Sequence, residues 1–123
     1  MAKYMLLLYD NRANWTDISP DEMQKAIQKY KAWGDKLKKL GIYVSSHKLA
    51  DDAGKVLRGR SGPRITDGPY SETKEVLGGY FMIEAPTYDD AVGHSRDCPH
   101  LEYGGTIEVR ETDAMVNAAS SKA

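Results

Sequence analysis

The chain holds 123 residues, 41% hydrophobic and 28% charged, and its 17 Lys and Arg against 18 Asp and Glu leave a formal net charge of -1. That length supports one hydrophobic core and leaves no room for two domains, while the near balance of charge gives no basic footprint for a nucleic-acid backbone. The longest strongly apolar stretch, Met5 to Leu8, falls far short of the roughly 18 residues that a membrane span needs, and no positive n-region or cleavage site flanks it. Cys98, the single cysteine, cannot form an internal disulfide, so a cytoplasmic protein without membrane or nucleic-acid partners is expected.

Lys3 to Tyr9 is apolar at odd and even positions alike, as in a strand buried on both faces, with Asp10, Asn11 and Asn14 as turn chemistry behind it. Ser19-Pro20-Asp21-Glu22 combines a hydroxyl cap, a proline at the first helical position and a Glu three residues after the cap. A helix follows, with Met23, Ile27, Tyr30, Trp33, Leu37 and Leu40 as its apolar stripe and Gly41 as its stop. Tyr30 and Trp33 are core positions on this pattern. Ile42 to Leu49 is a second strand. Lys55 to Arg60 and Arg64 to Thr66 form a solvated hairpin at a sheet edge, where Arg58, Arg60 and Arg64 either discourage strand addition or recruit an anion.

After Asp67-Gly68-Pro69-Tyr70, a turn or helical piece is expected over Ser71 to Leu77, and Gly78-Gly79 leads into a central strand from Tyr80 to Glu84. Thr87 caps a shorter helix to about Asp97, with Ala91, Val92 and Ser95 inward and Pro99 closing it. Gly104-Gly105 opens a last strand, Thr106 to Arg110. Residues 1–112 thus form the domain, and 113–123 read as a flexible tail.

The order β-α-β, hairpin, β-α-β is that of an α+β, ferredoxin-like split sheet with two helices on one face. Two helices cover one face only. The apolar side chains on the other face need a partner, and a homodimer in which two sheets face one another as an α+β barrel is the simplest.

Thr66-Asp67-Gly68-Pro69-Tyr70-Ser71-Glu72-Thr73-Lys74-Glu75 and Val76-Leu77-Gly78-Gly79-Tyr80-Phe81-Met82-Ile83-Glu84 resemble the signature of the DGPF-type proteins within the YCII-related family, which usually carry Phe where this chain has Tyr70. The resemblance continues through Asp89-Asp90-Ala91, Cys98-Pro99-His100 and Gly104 to Arg110, and spans Tyr4 to Arg110. It implies a dimeric α+β barrel, an acid–base site around a His–Asp pair, and, for a few members, dechlorinating or lactone chemistry.

Each site candidate has a plain structural alternative. Asp67 is either the acceptor of its own Asp-Gly-Pro turn or a carboxylate fixed at a cleft mouth as general base. Glu72, Lys74 and Glu75 are a solvated turn or part of that cleft. On a period of two, Thr106, Glu108 and Arg110 share the open face opposite Ile107 and Val109, either as an ion pair at a dimer seam or as a ligand clamp in which Arg110 grips a carboxylate. His100 is a general acid or base; His47 lines the same cleft or sits at an edge. His94, Cys98 and His100 give a weak metal spacing, so no metal is assigned; His94 is read as exposed and Cys98 as a buried packing residue.

No nucleotide-binding glycine fingerprint or nucleophile elbow is present, which disfavours phosphoryl transfer and esterase chemistry. The reading, which rests chiefly on that resemblance, is a cofactor-independent acid–base enzyme of lyase, isomerase or dehydrochlorinase type acting on a small organic acid or lactone. Asp67 and His100 move the proton, and Arg110, Glu108, Glu75 and His47 hold the ligand. The alternative is a non-catalytic small-ligand-binding or regulatory module.

Overall fold

The computed structural model describes residues 1–11, 17–68 and 75–121. In chain order these form β1 (Ala2–Asn11), α1 (Pro20–Lys39), β2 (Tyr43–Lys48), β3 (Lys55–Arg58), β4 (Arg64–Asp67), β5 (Glu75–Ala85), α2 (Tyr88–Ser95), α3 (Pro99–Glu102), β6 (Thr106–Glu111) and α4 (Ala114–Ser121). The main sheet is antiparallel in the order β2-β5-β1-β6, and β3 and β4 pair in a second, two-stranded sheet. Each helical crossover joins two strands that run parallel with one strand between them: β5 separates β1 from β2, and β1 separates β5 from β6.

The start of α1 is written in its cap. The Ser19 hydroxyl accepts the Glu22 amide at 3.1 Å, and Pro20 takes the first turn, where its missing N–H costs nothing. Lys36, Lys38 and Lys39 lie at the negative end of the helix dipole, and Gly41 takes the left-handed conformation that ends the helix.

Along β1, Tyr4, Leu6 and Leu8 are buried beneath the helices with Ile83, Ala85, Leu37 and Trp33, while Met5, Leu7 and Tyr9 on the other face are half-buried. Trp33 of α1 meets Phe81 edge-on at 4.7 Å and Tyr88 of α2 meets Tyr4 at 4.9 Å, so both helices pack on one face. Ile107 and Val109 join that core, and Glu108 and Arg110 point away from it, as strand periodicity requires.

Several expectations are corrected. The inward face of α1 is Ala26, Trp33, Gly34 and Leu37, leaving Ile27 and Leu40 about half exposed, because a straight helix meets the flat sheet along a stripe narrower than the apolar sequence. The hairpin pairs with itself and not with the main sheet among the described residues. Asp10 and Asn11 belong to β1, since both still find partners on β5, whereas Asn14 lies outside the described residues. Glu75 to Leu77 continue β5 through Gly78 and Gly79 instead of forming a turn or helix; the rest of that piece, including Glu72 and Lys74, lies outside the described residues. Val92 faces solvent, and Pro99 opens α3 at the position where proline suits a helix best. The tail is helical over α4, capped where the Asp113 carboxylate accepts the Val116 amide at 2.9 Å.

Candidate active site

At the far end of β1 the pairing with β5 shifts, Leu8 facing Gly79 and Tyr9 facing Leu77, so Gly78 is an extra residue bulged between them. A Cβ at Gly78 would overlap Oδ2 of Asp10. The bulge therefore clears the space in which the Asp10 carboxylate sits. On the other flank of β1, Gly105 at the mouth of β6 has the same use, since a Cβ there would overlap the His100 ring. Two glycines from two strands make room for one carboxylate and one imidazole.

His100 is 2% exposed, yet both ring nitrogens are partnered. Its Nε2 lies 2.8 Å from the carbonyl oxygen of Tyr9 and 3.7 Å from Oδ1 of Asp10, and its Nδ1 lies 2.8 Å from the Tyr30 hydroxyl. A carbonyl only accepts, so Nε2 carries hydrogen, and in the neutral ring the Nδ1 lone pair receives the Tyr30 hydrogen. Burial, with the nearby Asp10 carboxylate next in weight, holds the Tyr30 hydroxyl well above the ordinary tyrosine range and so keeps it a donor. The Asp10 side chain is 26% exposed and forms the outer end of this chain of groups.

Tyr9 is shared by two features. Its carbonyl holds His100, and its side chain, on the open face, lines a depression of about 410 Å³ with Glu75, Thr106, Ile107 and Glu108. The Tyr9 hydroxyl donates to Glu108 at 3.1 Å, the Thr106 hydroxyl donates to Glu75 at 2.8 Å, and Arg110 approaches Glu108 at 4.0 Å.

The expected site residues divide accordingly. Glu75 and Glu108 line the depression and His100 stands behind Tyr9. Arg110 faces Met5, five residues along β1 from Asp10, a separation of about 17 Å at the usual strand rise. His47 is exposed on the edge strand β2, with Nδ1 2.9 Å from the Tyr80 hydroxyl. Asp67 ends β4, where its exposed carboxylate pairs with Lys55 across the hairpin.

Asp10, Tyr30 and the spacing glycines were not singled out by sequence reasoning as site residues. The Gly78-Gly79 pair inside β5 and the Gly104-Gly105 pair before β6 were the available signal. Cys98 is buried, its thiol pushed up to about 11 by burial, which suits packing better than reactivity. His94 is half-buried in the last turn of α2, and among the described residues no group of three His, Cys, Asp or Glu side chains is gathered to hold a metal ion.

A family model for the YCII-related domain matches residues 2–115. A Rhizobium meliloti (strain 1021) protein described as uncharacterized is 29% identical over 110 residues, covering 87% of this chain and 89% of that protein.

Proposed function

The chain belongs to the YCII-related family, and on that premise we propose that it is a homodimeric, cofactor-independent acid–base enzyme acting on a small lactone or related organic acid, with Asp10 as its proton acceptor. The observation that carries this reading is the buried imidazole of His100, bonded at both nitrogens, with the partly exposed Asp10 carboxylate 3.7 Å from its Nε2 and one residue along β1 from Tyr9, whose side chain lines the depression on the opposite face. Asp10 takes a proton from an acidic carbon next to a carbonyl and returns it to product. His100 and Tyr30 stand behind it as positioning residues: the imidazole, fixed by the Tyr30 hydroxyl, holds the Tyr9 carbonyl and with it the stretch of β1 that carries Asp10. Asp67 is assigned to its Lys55 ion pair in this reading.

The depression favours the lactone over an anionic acid. Two carboxylates, Glu75 and Glu108, line it beside the hydroxyls of Tyr9 and Thr106, and such a lining accepts from substrate hydroxyls while repelling a substrate carboxylate. The Asp67-Gly68-Pro69-Tyr70 motif supports the DGPF-type subgroup, and the two split crossovers support a ferredoxin-like arrangement. Met5, Leu7, Tyr80 and Met82 on the half-covered face support a dimer in which a second sheet covers them.

The test is a panel of lactones, enols and halo-acids, scored first by thermal stabilisation and then by turnover, on the native chain and on Asp10→Asn. The expected result is stabilisation by a lactone in both proteins with turnover in the native chain alone. Turnover that survives Asp10→Asn sinks the assignment of the base. Stabilisation without any turnover in the native chain establishes the second reading, a ligand-binding module, which the deep burial of His100 favours.

A further inference from the structure

The open face of the main sheet is written in rows. Following the strand pairing across it, His47 of β2 stands beside Tyr80 of β5, Tyr80 beside Leu7 of β1, and Leu7 beside Glu108 of β6. The next row reads Ser45, Met82, Met5 and Arg110. Each row is apolar in its middle, with a group able to carry a positive charge or donate hydrogen at one end and a complementary group at the other.

A two-fold axis parallel to the strands places each row against its own reverse. His47 then meets Glu108, Tyr80 meets Leu7, Ser45 meets Arg110 and Met82 meets Met5. An axis across the strands sets Glu108 against Arg110 instead, which duplicates an approach that already exists within the chain at 4.0 Å and leaves His47 only a serine. The first arrangement adds a charge-assisted contact that one copy alone lacks. It also seals the apolar middle of each row, and sheets packed nearly aligned at about 10 Å spacing bring such side chains into contact.

We infer that a second copy of this chain covers the open face with its strands aligned, so that His47 of the partner subunit meets Glu108 and completes the rim of the Tyr9–Glu75–Glu108 depression. This inference rests on the dimer proposed above and adds its orientation and a residue supplied in trans. A lone depression lined by two carboxylates has no basic side chain among its lining; the partner's His47 brings an imidazole to its rim against Glu108, while the Tyr9 hydroxyl remains on Glu108.

Crosslinking between two singly substituted chains tests it. His47→Cys and Glu108→Cys chains, differing in tag length, are mixed, allowed to exchange subunits and treated with a short bismaleimide. Neither chain carries both new thiols, so every covalent product joins two copies, and the native chain controls for buried Cys98. Within one chain the two positions stand three strand spacings apart, about 14 Å, on the same face. Both are exposed, so the substitutions leave the core intact. The expected product is the mixed covalent dimer from the mixture and none from either chain alone. Crosslinking of Glu108→Cys with itself, or of His47→Cys with itself, overturns the orientation while leaving the dimer. Sedimentation of the native chain as a monomer overturns the dimer first, and the two failures are thereby told apart.

Discussion

At the scale of single residues, the site depends on absent side chains as much as on present ones. Gly105→Ala forces the new methyl into the His100 ring, and overpacking of this kind costs about 1–3 kcal/mol. Because Gly105 has no positive φ, the effect is one of space and not of backbone conformation. Urea unfolding of Gly105→Ala, His100→Ala and the double variant checks this: the double variant is less destabilised than the sum of the singles, since removing the imidazole removes the clash. Tyr30→Phe leaves the buried Nδ1 of His100 without its hydrogen, a loss of about 1–3 kcal/mol that the same unfolding measurement reads. These residues show where sequence reading stops. Ser19, Pro20 and Glu22 are legible because capping is a contact across three residues. Asp10 and His100 meet across ninety positions, and nothing local distinguishes Asp10 from an ordinary turn aspartate.

At the scale of elements, the same contrast separates what periodicity encodes from what packing decides. The alternation of β6 placed Glu108 and Arg110 on the open face correctly, because a strand has two faces and its core neighbours fix which is which. The stripe of α1 was less legible, since six apolar positions span more of the helix than a sheet can touch. The join between α1 and the α2–α3 link is polar: Asp97 accepts from Trp33 Nε1 at 3.1 Å and pairs with Lys36. Partial burial alone would raise its pKa, but the hydrogen bonds from Lys36 and Trp33 outweigh burial and hold the carboxyl below its ordinary 3.8. A depressed carboxyl contributes stability that is present above the unfolded value and is lost as pH falls through the lower, folded value. Asp97→Asn should therefore lower stability at neutral pH by what the ionised carboxylate contributes, about 1 kcal/mol or less for so exposed a pair, and flatten the acid limb below about pH 4 so that the two proteins converge there, as acid titration of thermal unfolding would show. A flat native profile in that range would remove the join from the account of acid stability. Further along, α4 exposes Met115 and Val116, and ending the chain after Asp113 should change the unfolding free energy by no more than about 0.5 kcal/mol.

At the scale of the whole molecule, two neighbouring leucines separate the core from the proposed interface. Leu6 is fully buried under the helices, beside Phe81 and Val109, and Leu6→Ala should cost about 2–5 kcal/mol through lost transfer energy and a cavity. Leu7 faces the other way, between Tyr80 and Glu108, and is only half-buried in one copy. A lysine there has room in the monomer, where its stem lies on the sheet and its ammonium reaches water. Between two facing sheets it has neither solvent nor a place, and an unpaired buried charge costs more than a dimer contact can offset. Dimer formation also makes thermal stability rise with protein concentration, because only the folded chain associates. The native chain should thus sediment as a dimer with a concentration-dependent Tm, whereas Leu7→Lys should sediment as a folded monomer whose Tm no longer depends on concentration. Leu6→Ala should instead lower Tm at every concentration and keep the slope. If Leu7→Lys keeps the native sedimentation and slope, the open face is not where the second copy binds, and the partner's His47 loses its route to Glu108.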